Sequence, residues 1–179
     1  LNNSNFLIEM LAHVPLSTHK EPKNIFLVSD QPEEYIFQFS KYQFLNLDVE
    51  VSSIEDFNNR IIEFNNETFD VAIIEKNISN IDSAHISRIL KRDGLVSAIG
   101  DSNFISLKEL AKNFRIAMPY IANNNILLFG SKFYHSTADI NLQRSDLLED
   151  LNYYNSDIHI SSFSLPNYIK REISSFVKN

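Results

Sequence analysis

Short apolar runs alternate with segments of helical period along most of this chain. Residues 5–13, NFLIEMLAH, bring Phe6, Ile8, Met10 and Leu11 together and predict a helix ended by Val14-Pro15. Residues 24–29, NIFLVS, form a continuous apolar run that predicts a buried first strand. Asp30 then suits an N-cap, Pro32 the first helical turn, and Glu33 and Glu34 the positive end of a helix reaching about Tyr42. Its apolar side is Tyr35, Ile36, Phe39 and Tyr42. Residues 45–51, LNLDVEV, alternate apolar and polar as a second strand does, and Ser53 caps a helix over 54–65. Residues 70–75, DVAIIE, are almost continuously apolar and predict a central third strand. Asp82 is the expected cap of a helix to Arg92, closed by a left-handed turn at Asp93-Gly94, and residues 95–99 make a fourth strand. A short helix from Ser106 to Asn113 follows. Residues 114–121 and 125–133 read as a hairpin about Ala122-Asn123-Asn124, and an amphipathic helix over 167–177 ends the chain.

This order predicts an α/β fold, a doubly wound, mostly parallel sheet with a C-terminal antiparallel hairpin. Ligands in such sheets bind beyond the carboxyl ends of the strands, so Ser29–Asp30, Glu50–Ser53, Glu75–Asn77 and Gly100–Ser102 should rim a pocket. The length of 179 residues suits one domain, taken as 1–179. The net charge of −7 comes without a basic stripe, which argues against a nucleic-acid partner. No cysteine is present, so disulfides and thiolate metal sites are excluded, and the five histidines show no metal-ligand spacing. No apolar run approaches the ~20 residues of a membrane span and no signal peptide is visible; the expectation is a cytoplasmic protein. Gly100-Asp101-Ser102 has the letters of an esterase nucleophile turn, but the late Asp157 and His159 are two apart, not the three such enzymes use.

Two stretches exceed what core packing requires. Residues 151–166 read LNYYNSDIHISSFSLP, with Tyr153-Tyr154-Asn155, Ile158-His159 and Phe163-Ser164-Leu165-Pro166 in fixed order. This run resembles the C-terminal signature of the spermidine synthase family of aminopropyltransferases, YYN-x-x-IH-x-x-x-F-x-LP. Residues 9–15, EMLAHVP, followed by Thr18-His19 and Pro22-Lys23, resemble the lead into the first strand of that family's sheet. The resemblance implies a class I methyltransferase-like, Rossmann-like fold and transfer of an aminopropyl group from decarboxylated S-adenosylmethionine to putrescine. It further implies no permanently bound cofactor and a homodimer. The expectation is a single domain without the family's N-terminal β-domain.

That reaction needs a carboxylate to take the amine proton, a backbone turn close to the nucleoside and an acidic grip on its ribose. The family's DSSDP-like run falls on Glu75-Lys76-Asn77-Ile78-Ser79, which makes Glu75 the candidate catalytic base and leaves Ile78 at the second aspartate. Its GGGDGG-like turn falls on Ser29-Asp30-Gln31-Pro32-Glu33 with no glycine; the three glycines are Gly94, Gly100 and Gly130. Tyr120 matches the family's substrate-side tyrosine, while Asn125 stands at its tryptophan and Leu7-Ile8 at its Tyr-His pair. The candidate substrate-binding residues are therefore Tyr120 and Asp101, and the candidate cofactor-binding residues are Asp30 and Glu50. One αβ unit is missing between the first strand and Glu75, so the strand of Glu50 is either the ribose strand or the later one whose loop meets adenine. Tyr153, Tyr154 and His159 are read as structural. A second reading keeps the fold without the chemistry, as a binding or assembly partner.

Overall fold

The structure, a computed structural model, describes residues 3–179. Six strands form one sheet in the order β2-β1-β3-β4-β6-β5. They are β1 (Asn24–Val28), β2 (Asp48–Ser52), β3 (Phe69–Asn77), β4 (Leu90–Ile99), β5 (Ile116–Ala122) and β6 (Asn125–Ser131). The first four are parallel; β6 runs antiparallel to β4, and β5 antiparallel to β6. This is the expected mixed α/β sheet of the methyltransferase-like type. β2 is an edge strand paired directly with β1, and two helix–strand steps separate β1 from β3. Strand alternation divides the core. Ile25, Leu27, Val71, Ile73 and Leu95 face one side, beneath α1 (Asn3–Thr18) and α2 (Pro32–Phe39). Phe26, Val28, Ala72, Ile74 and Val96 face the other, beneath α3 (Phe57–Glu63), α4 (Asn80–Ile89) and α5 (Ile105–Asn113). Among the described residues no helix is long and apolar enough to cross a membrane.

Several boundaries differ from the sequence reading. α1 does not stop at Val14-Pro15 but runs to Thr18. Pro15 removes one backbone donor, but the last turn recovers partners. Pro15 O accepts from His19 N at 3.0 Å, and the Arg144 guanidinium donates to the carbonyls of Leu16, His19 and Lys20 at 2.6–2.7 Å. Asp30 does not cap α2: Gln31 occupies that position, and the Asp30 carboxylate instead accepts from Ile54 N at 3.0 Å. Ser53 and Asp56 bond each other in the turn before α3, which starts at Phe57. α4 is capped by Ser79, and Asp82 is its reciprocal partner three residues on. Gly94 is no left-handed helix end. It lies within β4, at a register shift against β3, and no glycine has positive φ. A Cβ at Gly94 would stand 2.9 Å from Leu90 Cβ, so close packing explains the residue. The hairpin turn is as expected, with Asn123 left-handed at φ 54.

The two signature stretches bind each other. Glu9, fully buried on α1, accepts from the amides of Asn152, Tyr153 and Tyr154 at 2.8–3.0 Å. His13 donates from Nε2 to Gln38 Oε1 at 3.0 Å and accepts at Nδ1 from the Tyr42 hydroxyl at 2.7 Å. Tyr154 packs on the His13 ring, 5.1 Å between centroids, and donates to His159 Nδ1 at 2.8 Å. His159 lies on the short helix Ser156–Ser162 and donates from Nε2 to Ser136 O at 3.0 Å. Tyr153 closes the hairpin by accepting from Asn123 N.

Candidate active site

The carboxyl ends of β1, β2 and β3 meet where the sequence places the rim. Ser29, the first residue past β1, is buried and donates from Oγ to Glu75 Oε2 at 2.5 Å, a length suited to a charge-assisted bond. The same Oγ accepts from Gln31 N at 2.9 Å, which fixes the turn. Ser29 N donates to Ser52 O, and Asp30 ties the turn to the loop after β2 through Ile54 N. A hydroxyl and a carboxylate therefore hold the loop together where the family uses glycines.

Glu75 is half-buried, since β3 carries it outward just beyond its fully buried segment. Burial raises its pKa above the ordinary glutamate value; the Ser29 bond opposes this and the Asp30 charge adds to it. The group therefore holds a proton more readily than an exposed carboxylate, as a base near neutral pH must. Lys76 offers it no ion pair: its ammonium turns to Asp82 at 3.4 Å and lies over the Phe57 ring. Ile78, at the family's second aspartate, is buried in the core beneath α4.

The other candidates do not all converge on Glu75. Asp30 does; its charge acts on Glu75 directly. Glu50 lies in mid-strand, with its side chain across the sheet on the α3 side, paired to Arg60 at 3.3 Å. Asp101 accepts from the amides of Ile105 and Ser106 at 2.9 and 2.8 Å, so it caps α5. Burial pushes its carboxyl up, but those amides and the Ser106 hydroxyl outweigh it and hold the pKa below the usual range. Tyr120 is fully buried; its hydroxyl shares a bond with Ser97 at 2.5 Å, its ring stacks on Phe163, and burial raises its pKa. Ser29, which the sequence marks only as a rim position, is the residue that bonds Glu75. Among the described residues no group of three or more His, Asp or Glu side chains is placed to hold a metal ion.

No family model matches the sequence. The polyamine aminopropyltransferase of Helicobacter pylori (strain G27) is 25% identical over 205 residues, spanning 96% of this chain and 78% of the relative. That of Thermotoga petrophila is 25% identical over 217 residues, spanning 92% of this chain and 73% of the relative. Among solved structures, spermidine synthase from Thermotoga maritima superposes with a TM-score of 0.81 at 21% identity, covering 94% of this chain and 74% of that one. A spermidine synthase bound to the transition-state analogue AdoDATO gives 0.82 at 20% identity, covering 95% and 75%. Their likeness carries the fold, and the sequence relatives carry the ancestry. With the two signature stretches locked together as described, these relatives and neighbours support reading the chain as a divergent relative of the spermidine synthases.

Proposed function

We propose that the protein is an aminopropyltransferase of the spermidine synthase type, with decarboxylated S-adenosylmethionine as donor and putrescine as acceptor. One observation supports this above the rest: a half-buried carboxylate of raised pKa, Glu75, stands at a strand end on the rim where the fold binds ligands. In this reading the amine nitrogen attacks the carbon beside the sulfonium. The C–N bond forms, the C–S bond breaks, the thioether leaves, and Glu75 takes the proton the amine gives up. Asp30 sits on the cofactor side of the rim, and the backbone at Ser29 takes the place of the glycine turn. A cytoplasmic homodimer is part of the same reading.

A second reading has its own support. Glu50 is held by Arg60, both Asp101 oxygens are committed to α5, and Tyr120 shows no surface to an incoming amine. A chain that keeps the fold as a binding or assembly partner would look like this. Product analysis by mass spectrometry separates the two. Active wild type makes spermidine, with a rate that rises with pH through a midpoint above that of an ordinary glutamate, and Glu75→Gln loses at least ~100-fold. A folded wild type that makes no spermidine at any pH removes the transferase reading.

A further inference from the structure

Glu75 shares its strand alternation with Val71 and Ile73, so its side chain lies on the α1 and α2 side of the sheet. Ser97 follows the same alternation on β4, and Tyr120 reaches it from β5. Tyr35 enters this layer from the first turn of α2. Four of these polar groups pair off: Ser29 with Glu75, and Ser97 with Tyr120. Tyr35 is left over. Its hydroxyl is buried, its residue is 0% exposed, and it has no hydrogen-bond partner among the described residues. Among the described residues Glu75 has one hydrogen bond, from Ser29 to Oε2, and none at Oε1. An unpartnered buried hydroxyl is costly, and phenylalanine would fill the same space without that cost. Tyr35 stands in the first turn after the loop whose Ser29 holds Glu75, in the layer that Glu75 faces, and the Glu75 charge acts on its phenol.

Resting on Glu75 as the base, we propose that Tyr35 is its positioning residue: the Tyr35 hydroxyl is the second donor, receiving the carboxylate when it leaves Ser29. Glu75 then has two stations, one at the mouth of the site and one beneath it. The groups facing this pair are Asp30 from the loop after β1 and Tyr120 from β5, with Ser29 and Ser97 as neutral neighbours. Lys76 faces away toward Asp82.

A double-mutant cycle on the full chain tests this, reading the Glu75 carboxyl by ¹³C NMR against pH in wild type, Ser29→Ala, Tyr35→Phe and the double variant. With Tyr35 in place, Ser29→Ala moves the Glu75 midpoint up only slightly, because Tyr35 takes over. In the Tyr35→Phe background the same substitution moves it up by about one pH unit more. Equal shifts in the two backgrounds overturn the proposal. A second measurement needs no change at Tyr35: in Ser29→Ala the Tyr35 Cζ resonance follows the Glu75 titration, and a resonance indifferent to it also overturns the proposal. Neither measurement requires turnover, so the role of Tyr35 is tested even in a chain that makes no spermidine.

Discussion

Glu9 answers three consecutive amides with one buried carboxylate and so ties α1 to the C-terminal segment. Glu9→Ala leaves those donors without partners and should cost about 3 kcal/mol or more of unfolding free energy. Glu9→Gln keeps an acceptor oxygen and should recover part of the loss; paired denaturant titrations measure both. His13 and His159 set a pH window in the same region. Burial lowers each from 6.5 to about 4, against the opposing pull of Gln38 on His13 and of the Ser136 carbonyl on His159. The unfolded chain binds protons to both at a pH where the folded chain does not, so stability is full above about 6.5 and falls as pH drops toward 4. The loss should be on the order of a few kcal/mol per histidine, read as a falling melting temperature between about pH 7 and 4.5. A melting temperature flat across that window would contradict the buried neutral pair.

Helices here are closed by cations where many chains use glycine. Arg144 serves α1, Arg88 donates to the Ile61 and Phe64 carbonyls at the end of α3, Lys132 to those of Ser87 and Leu90 at the end of α4, and Lys178 to those of Ala111 and Phe114 at the end of α5. Arg144 is almost fully buried, so Arg144→Met leaves three carbonyls at the end of α1 unanswered and should cost about 2–3 kcal/mol by chemical denaturation. These caps bear on what was legible in the sequence. β1, β3 and the hairpin carry their signal locally, in apolar runs and an Asn-Asn turn, and their predicted positions hold to within about two residues. The end of α1 did not, because Arg144, which rescues the turn after Pro15, lies far downstream in the chain. Gly94 misled because its reason is contact with Leu90 within a strand, not backbone handedness. Asp82 was read as a cap when Ser79, three residues earlier, supplies the side chain and Asp82 returns the bond.

Across the molecule, the sheet order turns the spread of the sequence motifs into one design. The α1 segment and the C-terminal segment grip each other on one face, and that grip seats α1 over β3 and β4, on the face that Glu75 shares. The position of Glu75 just past the buried run of β3 is legible because a carboxylate closes a continuous apolar run in the sequence. Glu50 and Asp101 were read into the site from strand ends alone; Arg60 and the amides of α5 engage them, and partner choice of that kind is set by packing. The direct measurement is calorimetric titration of the folded chain with decarboxylated S-adenosylmethionine and with its thioether product. Saturable binding of both at micromolar concentrations is expected, with the donor retained by Glu75→Gln while turnover is lost. A cooperatively melting protein that binds neither would mean that the family's fold has outlived its chemistry in this chain.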